Sequence, residues 1–143
     1  MREAICMCRL LIDTNVMLDA VLSGRPGTDA AREVVNLCSG NGELGMACAL
    51  SCKDVYYIAT KIHGEPWARN AVDKLMGLLV IAPVDAEVLD AAKRSTEPDF
   101  EDGIIRACAE LNGADFIITR DKAAFAKSKV RAVSAQEYLE IVS

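Results

Sequence analysis

The sequence predicts an α/β fold, a doubly wound parallel sheet with helices on both faces, and three observations carry that expectation. Short apolar runs alternate with longer amphipathic stretches along the whole chain, the order that a parallel sheet with helical crossovers requires. The first run, Leu10-Leu11-Ile12, is apolar at every position, as in a strand covered on both sides. It ends abruptly in Asp13, with a helical pattern directly behind it. A similar hand-over from strand to helix, Ile117-Ile118-Thr119-Arg120-Asp121, lies near the other end.

The elements follow in order. After the strand at Leu10 to Ile12, Thr14 to Leu22 has helical character, with Val16 and Ala20, and Leu18 and Leu22, at i, i+4. The Ser23-Gly24-Arg25-Pro26-Gly27 segment is a loop. Thr28 or Asp29 is expected to cap a second helix with Ala31, Val34, Val35 and Leu37 on its apolar face. Leu44 to Cys48 reads as the second strand, and Ser51 as the cap of a helix running to about His63, stopped by Gly64. Pro66 suits the first turn of the next helix. Leu78 to Ala82 is the third strand, Asp85 starts a helix that Pro98 breaks, and Asp99 caps a helix carrying Ile104, Ile105, Cys108 and Leu111. Phe116 to Thr119 is the fourth strand, followed by a short helix around Lys122 to Ala126 and a fifth strand at Val130 to Val133. Ser134 with Glu137 three residues on forms a capping box for the last helix.

At 143 residues, 52% hydrophobic and 26% charged, the chain fits one domain spanning residues 1–143 and argues against disorder. There is no repeat and no low-complexity segment. The net charge is −5, so any polyanionic partner must meet a local basic patch. Residues 85–102 hold seven acids and two bases, whereas residues 116–131 hold five bases and one acid. Six cysteines lack ligand spacing for zinc, and a core of this size needs no disulfide staples. They read as small buried hydrophobes in a reducing cytoplasm. Arg9 and Asp13 interrupt the N-terminal apolar run, and the stretch Leu75 to Val84 is too short to span a bilayer. A cytoplasmic protein with no membrane partner is therefore expected.

The chemistry is expected in the acids. Sites on doubly wound sheets form beyond the carboxyl ends of the strands, where Asp13 and Asp121 both lie. Asp102 sits in the first turn of its helix, where the macrodipole is expected to keep it ionised, with Asp99 as the cap. Asp54, in Ser51-Cys52-Lys53-Asp54, reads equally as part of a capping box and as an acid turned towards Asp13. Each acid singly reads as a helix cap as well. Jointly, three or four acids at strand-to-helix junctions of one sheet should converge, and oxygen-only ligation suits Mg²⁺ or Mn²⁺. Two decoys fall away: Gly40-Asn41-Gly42-Glu43-Leu44-Gly45 follows a helix and precedes a strand, the wrong order for a dinucleotide loop, and no GxxxxGK[ST] occurs.

Four segments resemble the PIN-domain ribonucleases, and more closely the VapC-type toxins of bacterial toxin–antitoxin modules. They are Leu11-Ile12-Asp13-Thr14-Asn15, Ser51 with Asp54, Asp102-Gly103-Ile104-Ile105-Arg106-Ala107-Cys108-Ala109, and Ile117-Ile118-Thr119-Arg120-Asp121 followed by Phe125. The resemblance implies a three-layer sandwich around a parallel sheet of about five strands. It also implies a Mg²⁺- or Mn²⁺-dependent endoribonuclease, frequent homodimers and a cognate antitoxin whose peptide covers the site. Asp13, Asp54, Asp102 and Asp121 take the catalytic acidic positions, with Asn15 and Thr119 as polar support. The chain departs from the pattern twice: Asp54 stands where the family usually carries Glu, and Ala124 where many members carry an acid.

The expectation is thus an RNA-cleaving toxin in which Asp13, Asp102 and Asp121 hold the metal and Asp54 assists. Arg120, Lys122 and Lys53 would steer the RNA backbone. Two alternatives stay open: a catalytically degenerate binding module, and a phosphatase or phosphotransfer domain with Asp13 as nucleophile.

Overall fold

Five short strands, Arg9–Ile12 (β1), Leu44–Cys48 (β2), Val80–Ala82 (β3), Phe116–Ile118 (β4) and Arg131–Val133 (β5), form one sheet in the order β3-β2-β1-β4-β5. Every pairing is parallel, and Leu11 of β1 aligns with Met46 of β2 on one side and Ile117 of β4 on the other. The structure is a computed structural model that describes residues 8–40, 42–95 and 99–143.

Among the described residues, six helices lie between the strands, Thr14–Val21 (α1), Thr28–Leu37 (α2), Ala49–His63 (α3), Glu65–Leu78 (α4), Ala86–Arg94 (α5) and Phe100–Leu111 (α6), and a seventh, Ala135–Val142 (α7), follows β5. A 3₁₀ turn at Lys122–Phe125 lies between β4 and β5. Strand side chains alternate between two apolar layers, as the pleat dictates. Leu10, Ile12, Ala47, Ile118 and Val133 face α1, α2, α3, α4 and α7. Leu11, Met46, Cys48, Ala82 and Ile117 face α5 and α6. Helices on both faces bury the centre of the sheet, so Leu10, Leu11, Ile12, Ile117 and Ile118 are all wholly inaccessible. The unbroken apolar runs of β1 and β4 have this cause.

Several boundaries differ from the sequence expectation. Ser51 is not a cap: α3 begins two residues earlier, and the Ser51 hydroxyl is buried in its first turn, accepting from the Thr14 hydroxyl at 2.7 Å. Asp54 is correspondingly no part of a capping box. Residue Gly27, with no side chain to cap, precedes α2, and the Thr28 hydroxyl donates instead to the Leu22 carbonyl at 3.2 Å. Leu78 ends α4 and does not open β3, which starts at Val80. Pro98 and Cys6 lie outside the described residues, and α5 already ends at Arg94. Asp85, Asp99 and Ser134 cap their helices as the sequence expects.

Of the described cysteines, Cys38, Cys48, Cys52 and Cys108 are buried, Cys8 is half-buried, and all five are free thiols. Among the described residues no helix is long and apolar enough to cross a membrane. The buried Tyr138 hydroxyl donates to the Glu43 carboxylate at 2.5 Å. Burial, with that carboxylate beside it, pushes the Tyr138 phenol well above its usual range.

The order of the sheet places the site. Connections run from β1 outwards through β2 to β3 on one side, and from β4 to β5 on the other. The two directions part at the β1–β4 seam, and the crevice beyond the carboxyl ends there is where open α/β sheets bind ligands. Asp13 follows β1 at that seam, and Thr119 follows β4.

Candidate active site

Asp13 is held from three directions. Its backbone N–H donates to the Ile118 carbonyl at 2.9 Å, which extends the β1–β4 ladder by one bond. One carboxylate oxygen caps α1 by accepting from the Thr14 N–H at 2.8 Å. The other accepts from the Thr119 hydroxyl at 2.8 Å. Burial raises the Asp13 pKa, the bonds from Thr119 and Thr14 oppose that, and the charge of Asp121 adds to the rise.

Thr119 is fully buried beneath the site. Its hydroxyl donates to Asp13 and accepts from the Asp121 N–H at 3.0 Å, so one side chain ties the two acids together. The Asp121 carboxylate caps the 3₁₀ turn through the Ala124 N–H at 3.3 Å.

Asp102 arrives from the other layer. Asp99 occupies the cap of α6, accepting from the Asp102 N–H at 2.9 Å. That leaves the Asp102 carboxylate available to the crevice. Its pKa is pushed up to about 6, chiefly by burial and then by the negative charges of Asp99, Asp13, Asp121 and Glu101. The helix-terminus effect, expected to keep this group low, loses to desolvation and four like charges.

These acids line one open cavity of about 400 Å³, together with Asn15, Asp54 and Glu101, Thr14 and Ser51, and an apolar wall that includes Leu50, Tyr57 and Ile58. The residues expected to assist are placed differently. Asp54 reaches the cavity but is paired with Lys53 at 2.7 Å, both side chains well exposed. Such a surface pair contributes little stability and exchanges readily with solvent. Arg120 and Lys122 do not line the cavity: Arg120 donates to Asp19 at 3.3 Å, and Lys122 to Glu137 at 2.9 Å.

A family model for the PIN domain matches residues 9–123, from the first strand through the 3₁₀ turn after Asp121. The chain belongs to the PIN domain family. Solved structures of the same architecture include VapC20 of Mycobacterium tuberculosis, a toxin that cleaves the sarcin–ricin loop, at TM-score 0.66 and 15% identity over 83% of this chain and 95% of that one. DNA-bound VapBC of Salmonella typhimurium matches at TM-score 0.68 and 16% identity, over 90% and 99%. A toxin–antitoxin complex of Klebsiella pneumoniae matches at 0.67 and 22%, over 88% and 97%. At these identities the likeness is one of fold. No curated protein sequence matches the chain.

In this PIN domain the donor set is chemically suited to a hard divalent cation. Asp13, Asp102 and Asp121 offer carboxylate oxygen only, and the like charges that add to burial in raising the Asp102 pKa are ones a cation would offset. As placed, no three His, Cys, Asp or Glu side chains among the described residues could hold an ion between them. The acids share a cavity and feel one another's charge without forming a finished cage.

Two features of the PIN domain had no signal in the sequence pattern. Asp19, inside α1, is buried and accepts from both Arg25 at 2.7 Å and Arg120 at 3.3 Å. Gly27 makes room for it, since a Cβ there would meet the Asp19 carboxylate at 2.6 Å. The apolar wall is the other feature: nothing in a helix-spaced Leu50 or Tyr57 distinguishes a cavity wall from a core face before α3 is placed.

Proposed function

We propose that this PIN domain is a divalent-metal-dependent endoribonuclease, the toxin of a type II toxin–antitoxin pair. One observation carries the reading: Asp13 after β1, Asp121 after β4 and Asp102 in the first turn of α6 line a single cavity at the switch point of the sheet. Family membership and the toxin neighbours support it.

Asp13, Asp102 and Asp121 would hold Mg²⁺ or Mn²⁺. Such a cation supplies Lewis acidity for phosphodiester hydrolysis and offsets the repulsion among the carboxylates. The chain's own contribution is positioning. Thr119 and the Thr14 N–H fix the Asp13 carboxylate so that it enters the reaction without reorganising. Asp99 takes over the capping of α6 and so frees Asp102. Asn15 is exposed at the cavity rim and can hydrogen-bond a ribose or phosphate oxygen. Asp54 assists once Lys53 releases it. Both Asp13 oxygens already accept hydrogen bonds, which suits a ligand-holding group better than the nucleophile of a phosphotransfer domain. A cognate antitoxin and a homodimer complete the proposed assembly.

The test is cleavage of RNA with Mg²⁺ or Mn²⁺, with EDTA, and with Asp13→Asn. Cleavage confined to the metal-loaded parent supports the reading, and cleavage that persists in both controls overturns it. A catalytically degenerate PIN-domain binding module is the second reading, favoured by the lack of a preformed ion cage among the described residues. It predicts that neither Mg²⁺ nor Mn²⁺ raises the melting temperature, whereas a metal enzyme gains stability with ion concentration.

A further inference from the structure

Two of the cations expected to grip the RNA backbone lie outside the cavity and are paired there, Arg120 with Asp19 and Lys122 with Glu137, while Lys53 stands in the cavity lining beside its partner Asp54. The chain carries a net charge of −5, and the cavity lining gathers Asp13, Asp54, Glu101, Asp102 and Asp121. A single-stranded RNA entering it meets five acids and, among the lining residues, the one cation Lys53, so an attachment that does not depend on charge would add to its binding.

The wall formed by α3 offers one. Tyr57 lines the same cavity as the acids and is 57% exposed, and Leu50 beside it in the wall is 40% exposed. Asp54, Tyr57 and Lys61 are spaced three and four residues apart, so they share one face of α3. The Lys61 ammonium lies over one face of the Tyr57 ring, 4.3 Å from its centroid, so a base would stack on the opposite face or displace it. An aromatic ring more than half exposed, with a cation on one face, at the edge of the acidic cavity, suits the holding of an unpaired base and its phosphate. Bases stack on aromatic faces whatever their identity, and a flanking cation takes the backbone.

We propose that Tyr57 is a positioning residue on which an unpaired RNA base stacks, placing the neighbouring phosphodiester over Asp13, Asp102 and Asp121, with Lys61 against the backbone. The ligand class rests on the ribonuclease reading above. Two consequences separate this from binding by charge. Single strands are preferred over duplexes, whose bases are already stacked. Affinity also falls only weakly with salt, because few counterions are released.

Binding of a short single-stranded RNA to the Asp13→Asn protein tests this without cleavage, with the oligomeric state checked by light scattering. Adding Tyr57→Ala is expected to weaken binding roughly ten- to a hundredfold at unchanged oligomeric state, while Tyr57→Trp retains it. A fully abasic ribose-phosphate chain of the same length is expected to bind the parent as weakly as RNA binds the Tyr57→Ala protein, with no further loss on Tyr57→Ala. Binding within twofold of the parent, an equal loss on intact and abasic chains, a loss explained by dissociation of a dimer, or no RNA binding at all overturns the proposal. Cleavage by the wild-type protein is assayed separately with Mg²⁺. No cleavage alongside intact stacking defeats the nuclease reading alone, and cleavage with no effect of Tyr57→Ala defeats the stacking role alone.

Discussion

Thr119 is the residue through which the two halves of the site meet, because its one hydroxyl serves Asp13 as donor and the Asp121 N–H as acceptor. Thr119→Val keeps the shape and removes both bonds in a fully buried position. It is expected to cost about 1–3 kcal/mol in urea unfolding and to lower RNA cleavage. Asp102 gives a prediction with a definite sign. Its carboxyl titrates at about 6 in the folded chain against 3.8 for the free side chain. Between those values the folded state binds the extra proton, so the contribution of Asp102 to stability falls as pH rises from about 4 to 6 and stays low above. In chelator, Asp102→Asn should therefore raise the melting temperature at pH 7, and the difference from the parent should shrink to nothing by about pH 4. At this scale the acids were legible in the sequence because each sits where an apolar run stops or a helix starts. Asp19 and Tyr57 were not, because an interior helical position carries no mark of which face will be buried, paired or left lining a cavity.

Capping decides which acids are free. Asp99, Asp85 and Ser134 are all legible as caps, since each stands three residues before the N–H it accepts from. Asp99→Ala removes the cap from α6 and forces Asp102, in the same first turn, to compete for that role. The expected outcome is a loss of about 1 kcal/mol in thermal or urea unfolding, with cleavage falling further than the loss of folded protein explains. The start of α3 differs from the sequence expectation for a local reason. Ser51 has the side chain of a cap, but Ala49 and Leu50 extend the helix backwards. The Thr14 hydroxyl then takes up the Ser51 oxygen that a cap would have offered to the backbone. Leu78 was misjudged because a short apolar run reads the same at the end of a helix as at the start of a strand.

The parallel sheet itself follows from the alternation of elements, but its strand order does not. Nothing in the spacing of Leu10-Leu11-Ile12 and Phe116-Ile117-Ile118 says that β1 and β4 are neighbours, yet that pairing is what brings Asp13 to Thr119 across 106 residues. Convergence of Asp13, Asp102 and Asp121 on one cavity is thus a property of topology that local pattern only permits. The same topology turns the basic segment around Arg120 and Lys122 away from the cavity, towards Asp19 and Glu137. These pairs join the segment after β4 to α1 and α7.

Calorimetric titration of the PIN domain with Mn²⁺ tests the central claim most directly, since it asks whether acids from three junctions act as one site. The account predicts saturable binding by the parent that Asp13→Asn, Asp102→Asn and Asp121→Asn each weaken strongly. Identical binding by the parent and the triple variant, or no binding by the parent, would contradict it.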